Sequence, residues 1–488
     1  MHFNSGHFLL FFPVVAGLYF LLPHRFRWML LLTASYFFYM CAVPGYAVLL
    51  LASTVVDYCA GLAMAGCVDR RYRVALLTTS LVTNLGLLFA FKYFNFFADS
   101  LQSLAGAMGT DVSVPLSQLV LPVGISFYTF QTLSYSIDVF RGRQAPERHF
   151  GRFALFVSFF PQLVAGPIER STNLLPQFTR EVSFDYARVT AGLRLMAWGM
   201  FKKVVIADHL AVLVNTVYGD PTNLVGPHFV IATLFFAFQI YCDFSGYTDI
   251  AIGAAEVLGI RLMTNFNRPY QARSISDFWS RWHISLSSWF RDYLYIPLGG
   301  NRVAVPRWYL NLIVVFVISG LWHGANWTFV IWGLLHGSFL VVGLLTRSAR
   351  EHATRVLALD RLPRLHAALQ RVGVFGLVCF AWIFFRADSL GDAWHIVTHL
   401  HTGWSGLFDV HTLRLMRDQI GVQEPYLIQA ALLILTLEIF QGINPSELWH
   451  RLTERRPWPV RWAFYVALLL ALINLGAGRP ESFIYFQF

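Results

Sequence analysis

The stretch Ser319-Gly-Leu-Trp-His-Gly-Ala-Asn-Trp-Thr-Phe-Val-Ile-Trp-Gly-Leu-Leu-His-Gly337 is apolar enough to lie in a membrane, yet it carries His323 and His336. An ionisable group at membrane depth is expensive, so each histidine is either functional or a core histidine satisfied by a backbone carbonyl. Gly320, Gly324 and Gly337 leave room for another backbone or a ligand. The sequence has no G-x-S-x-G elbow, phosphate-binding loop, HExxH or paired CxxC. An intramembrane histidine without its own nucleophile motif points to general-base catalysis on an external hydroxyl.

Three further constellations carry polar chemistry. In the block Asn265 to Arg302, Ser274 and Asp277 resemble a helix start, and Asp277 and Arg281 are spaced to pair. Trp279, Trp282, Leu286, Trp289 and Tyr293 follow at helical spacing, with His283 on the face of Trp279 and Phe290. This helix is too polar to span. It is interfacial, or it turns arginines toward an anionic ligand, or it is an aromatic belt with basic flanks. In Gln239 to Asp249, Asp243 and Asp249 are a proton or cation path, or counter-ions to Lys202, Lys203 or the arginines; the counter-ion role is the expectation. The C-terminal run ends in the apolar Phe483-Ile-Tyr-Phe-Gln-Phe488, which is expected to dock, either as a plug or to present the Tyr485 hydroxyl to a site.

The elements that must position these residues are set by composition. Of 488 residues, 56% are hydrophobic and 13% charged, where a soluble domain carries about 25% charged residues. Apolar stretches of about 20 residues recur along the chain. The expected fold is all-α: a polytopic helical integral membrane protein with roughly eleven or twelve membrane segments plus re-entrant and interfacial helices. It reads as a single membrane domain over 1–488. A regular N-terminal bundle occupies 1–150, the core 151–345, and C-terminal helices with a docked tail 346–488. Expected spans include His7 to Leu22, Trp28 to Ala42, Tyr46 to Cys67, Val74 to Phe97 and Leu119 to Ile137, with Phe153 to Val164 too short to cross. Asp388 to Gln423 reads as a loop. No cleaved signal peptide precedes the first span.

The net charge of +10 reflects basic loops rather than nucleic-acid binding, and basic loops alternate with neutral ones. The expected orientation places the N-terminus outside, periplasmic in a bacterial inner membrane. The five cysteines lack metal or redox spacing. No metal or tightly bound cofactor is expected.

With these residues assembled, the sequence resembles the membrane-bound O-acyltransferase superfamily, and within it the bacterial alginate O-acetyltransferase branch. The matching pieces are Phe159 to Ile168, Tyr241 to Asp249, Asn267 to Arg302, Ser319 to Gly324, Phe380 to Asp388 and the C-terminal hexapeptide. The resemblance implies that His323 is the catalytic histidine and that His283 lies at the mouth of a central tunnel. It implies cytoplasmic acetyl-CoA as donor, an extracytoplasmic polysaccharide (alginate-like, cellulose or peptidoglycan) as acceptor, and a periplasmic Ser-His-Asp (SGNH, acetylesterase-like) partner. In the related D-alanyl transfer system a small peptide with a similar Phe-x-Tyr motif is thought to accept the acyl group, which makes Tyr485 a candidate acyl acceptor. Around these three, Arg281, Trp282, Arg291, Asp243, Trp322 and Asn326 are the expected substrate- or donor-facing positions. The alternatives are D-alanyl transfer to a cell-wall polymer and, in another class, an ion-coupled transporter or flippase; no paired repeats of broken helices favour the latter.

Overall fold

The computed structural model describes residues 1–41, 43–164, 166–421, 423–442, 457–475 and 483–486. Of the C-terminal run, 478–482 and 487–488 lie outside the described residues. The described residues are mainly helical, with no strand among them. Among the described residues six helices are long and apolar enough to cross a membrane: Tyr46–Gly66, Arg70–Ala107, Gly226–Val257, Val305–His323, Trp327–Leu345 and Pro363–Arg386. Shorter apolar helices, among them Gly6–Leu21, Pro425–Gln441 and Trp458–Asn474, accompany them. In lipid every backbone polar group must be satisfied within the chain, which is why an apolar sequence of this kind folds as helices. The protein is a multi-pass helical membrane protein.

The chain forms two compact units. The first comprises Met1–Ala197, Tyr247–Asn265 and Ser285–Leu294. Within it, helices Tyr46–Gly66, Arg70–Leu88 and Ile125–Phe140 meet around Asp57, which is fully buried. The Ser80 hydroxyl donates to Asp57 Oδ1, and Ser136 does the same at 3.0 Å. Asn84 Nδ2 donates to Oδ2 at 2.9 Å. Asn84 Oδ1 accepts in turn from Ser53 at 2.6 Å and Thr132 at 3.3 Å. Among the described residues no lysine or arginine pairs with Asp57; the carboxyl is held by hydroxyls and an amide.

Several boundaries differ from the sequence reading. The fourth span continues through a π-helical turn at Phe89–Tyr93 to Ala107, because the Ser/Gln/Gly run after Phe97 still completes an amphipathic helix. The fifth begins only at Ile125, since Pro122 and Gly124 interrupt it. Gly124 has φ 78°, and a Cβ there would sit 2.9 Å from the Leu163 carbonyl oxygen. The segment expected to be too short to cross is a broken helix, Phe150–Ser158 then Phe160–Leu163. The loop expected over Asp388 to Gln423 contains two helices, Leu390–His399 and Val410–Gln419. The first is capped by Ser389, which accepts from Asp392 N at 3.0 Å.

The second unit comprises Trp198–Gly246, Phe266–Ile284 and Tyr295–Phe488. Its centre is the antiparallel pair Val305–His323 and Trp327–Leu345. A Cβ on Gly320 would collide with the Phe329 carbonyl, and one on Gly333 with that of Phe316. Small residues here let the two backbones touch, the means by which membrane helices pack without a hydrophobic driving force. The π-helical turn Phe201–Ala207 carries Lys202 and Lys203 to buried positions in this unit.

Candidate active site

All but one of the expected site residues fall within the second unit. His323 is the last residue of its helix, and Gly324 leaves the helix in an extended conformation. Asn326 then caps the next helix by accepting from Thr328 N at 3.0 Å, and its amide donates to the Asp388 carbonyl at 3.1 Å. The loop that stops one helix and starts another thus fixes His323 at a tight corner. His323 is 2% exposed. Trp332 and Trp322 lie with ring centroids 5.0 Å away, and Phe385 5.4 Å.

His283 comes from a broken helix rather than from the continuous one expected. Ser274 caps Ile275–Arg281 by accepting from Asp277 N at 3.0 Å, as the spacing predicts, but the helix then ends. His283 has φ 43°, a left-handed conformation rare for a residue with a Cβ, before Ile284–Phe290 begins. The break removes His283 from the shared face with Trp279 and Phe290 and buries it fully. Phe244 lies edge-on at 4.7 Å between ring centroids. Burial pulls the His283 imidazole down to about 3, so it is neutral near pH 7.

The C-terminal segment completes the cluster. Tyr485 lies 5.6 Å from His323 and 6.2 Å from His283 between ring centroids, and the two histidines are 6.3 Å apart. Phe244 packs on Tyr485 at 4.4 Å. Burial raises the phenol above its ordinary value, so the hydroxyl is protonated at neutral pH. The segment is anchored by its backbone: Ile484 N donates to Asp243 Oδ2 at 2.8 Å, and Phe483 and Ile484 are buried. Asp243 Oδ1 pairs with Lys203 Nζ at 2.9 Å, and Lys203 also pairs with Asp208 at 2.7 Å. The counter-ion role expected for Asp243 is present, together with a second role in holding the tail.

The remaining positions separate. Trp322 lines the cluster, 6.0 Å from His283 and 6.4 Å from Tyr485 between ring centroids. Trp282 is buried against Phe278, Phe266 and Trp382. Arg281 pairs with Asp277 at 2.6 Å and faces a separate pocket. Arg291 belongs to the first unit, has a side chain 62% exposed and pairs with Asp292 at 2.8 Å. His336 is a core histidine whose Nδ1 accepts from Trp279 Nε1 at 3.3 Å. The aromatic walls Phe244, Trp332 and Phe385 were not singled out from sequence, because aromatic residues in apolar spans carry no signal that separates a lining from a core. Among the described residues no cluster of three His, Cys, Asp or Glu side chains has metal-binding geometry.

The two imidazoles of His323 and His283 and the Tyr485 phenol thus cluster inside an aromatic cage of a multi-pass membrane protein. The chain belongs to the membrane-bound O-acyltransferase family, whose model matches residues 144–384, and it is an O-acyltransferase. It is 42% identical over 427 residues to the probable alginate O-acetylase AlgI of Azotobacter vinelandii, covering 86% of this chain and 82% of that protein. It is 37% identical over 494 residues to the peptidoglycan O-acetyltransferase of Helicobacter pylori, covering 94% and 91%. A teichoic acid D-alanyltransferase of Bacillus subtilis matches 46% of this chain at 29% identity.

Proposed function

We propose that the protein takes acetyl from cytoplasmic acetyl-CoA and passes it through the membrane for O-acetylation of an extracytoplasmic polysaccharide, with His323 as general base. The observation that carries the reading is the ring cluster of His323, His283 and Tyr485. In the first step a neutral His323 takes the hydroxyl proton as the oxygen attacks the thioester carbonyl. The tetrahedral intermediate collapses, the C–S bond breaks, and the imidazolium returns the proton to the thiolate, leaving an ester and free CoA. Tyr485 is the candidate first acceptor: its raised phenol requires a base, and its aryl ester is activated for transfer to a sugar hydroxyl.

Transfer to a polysaccharide is supported by the alginate and peptidoglycan O-acetylating relatives, which match more of the chain and at higher identity than the D-alanyltransferase. The membrane is the bacterial inner membrane, with the N-terminus outward, and a periplasmic Ser-His-Asp partner completes the delivery. The test uses purified protein and labelled acetyl-CoA, comparing wild type, His323→Ala and Tyr485→Phe. General-base loss is expected to slow CoA release by about 10²–10⁴-fold, and mass spectrometry is expected to find acetyl on Tyr485 in the wild type only. CoA release that needs His323 while Tyr485 stays bare removes the relay. Release unaffected by His323→Ala removes the base.

A further inference from the structure

A second cavity in the same unit lies beside the helix that leads into His283. It has a volume of about 570 Å³ and is lined by four arginines, Arg268, Arg273, Arg281 and Arg371, together with Asp277, Gln271 and Gln441. That volume suits a small organic ligand rather than a lone ion. Four guanidinium groups face one carboxylate, a formal excess of three positive charges. The single carboxylate is already engaged: Asp277 accepts from Arg281 Nε at 2.6 Å and from the Arg273 backbone at 3.0 Å. Although burial raises it, these bonds keep its carboxyl below the ordinary value, so it remains an anion paired to Arg281. A further carboxyl, Glu438, accepts from Gln271 at 2.9 Å.

What remains is donors. Gln441 is 9% exposed, and among the described residues its buried Nε2 has no hydrogen-bond partner. The Nε of Arg371 is buried and likewise lacks one. Unmet buried N–H groups of this kind destabilise the fold, more so where charged, unless an acceptor arrives. Arg268 holds a left-handed backbone, φ 47°, at the start of the turn Pro269–Gln271, which sets its stem at the pocket wall. A site rich in planar forked donors, with its own carboxylate neutralised, recognises oxyanions with several oxygens.

We propose that this pocket binds a phosphate-bearing ligand, either the nucleotide end of the acyl donor or the headgroup of an anionic lipid. Assignment to the donor rests on the acetyl-CoA reading above; the phosphate chemistry does not. The test measures binding on the full-length protein, with turnover as a separate readout. In nanodiscs of zwitterionic lipid, adenosine 3′,5′-bisphosphate and inorganic pyrophosphate are titrated against wild type, Arg371→Gln and Arg273→Gln, with Arg371→Lys as the charge-keeping variant. In a second arm the nanodiscs contain phosphatidylglycerol, and native mass spectrometry counts retained lipid. Each glutamine substitution is expected to weaken the bound phosphate about tenfold or more, and lysine less. Loss in the nucleotide arm identifies the donor; loss confined to the lipid arm identifies the headgroup. Folded glutamine variants that match wild type in both arms overturn the proposal. If the pocket binds the bisphosphate while acetyl-CoA gives no acyl product, the pocket stands and the donor assignment falls. If acetyl-CoA is a donor with KM unmoved in both glutamine variants and neither arm weakens, the donor stands and the pocket falls.

Discussion

Asp243 connects the polar interior of the second unit to the residue proposed to receive the acyl group, so its removal tests how Tyr485 is positioned. Asp243→Ala deletes the acceptor of the Ile484 N–H bond and one of the two carboxylates on Lys203. Lys203 keeps Asp208 at 2.7 Å, so the lysine is not stranded and the fold is expected to survive. A hydrogen bond to a charged group contributes about 1.5–3 kcal/mol. The docking equilibrium of the segment carrying Tyr485 should therefore weaken by about 10–150-fold. Hydrogen exchange of the Ile484 amide, read by mass spectrometry, should accelerate by the same factor, and CoA release should fall with it if Tyr485 accepts the acetyl. Asp208→Asn removes the other partner of Lys203 and leaves the Ile484 acceptor in place, so it should leave this amide protected. Unchanged exchange at Ile484 in Asp243→Ala, or equal loss in both variants, would refute the latch.

Other outcomes follow from the same geometry. Gly320→Val drives a side chain into the Phe329 carbonyl three residues before His323; overpacking of this kind costs about 1–3 kcal/mol. It should lower both the melting temperature in detergent and the turnover, whereas Gly343→Ala, where a Cβ meets nothing, should change neither. His283 is buried neutral with its pKa depressed to about 3, so the native state binds fewer protons than the unfolded state below pH 6.5. Its contribution is present above the unfolded value and is lost as pH falls. Between pH 6.5 and 5 it should lower stability by up to about 2 kcal/mol, and His283→Gln should flatten that part of the melting-temperature profile.

The spans were legible because lipid demands long apolar helices, and the span expected from Tyr46 to Cys67 is the helix Tyr46–Gly66. The cap at Ser274 and the Asp277–Arg281 pair were legible because they are local. The break at His283 was not: the aromatic spacing continues through it, and only tertiary contacts hold a histidine at φ 43°. The arginine pocket was also hidden, since Arg268 and Arg371 are about a hundred residues apart and each alone reads as a flank of an apolar run. Asp57, by contrast, is visible in the sequence as a lone carboxylate in the apolar run Tyr46 to Gly66.

That carboxylate bears on how the protein is made. A charged aspartate at the centre of a lone helix opposes membrane insertion by about 2.5–3.5 kcal/mol. Its hydroxyl and amide partners come from Arg70–Leu88 and Ile125–Phe140, which leave the ribosome later. The helix Tyr46–Gly66 therefore gains its full membrane partition only once its successors arrive. The unit committed to the bilayer is the three-helix group, and early truncation between Gly66 and Arg70 should leave a segment that the translocon holds back.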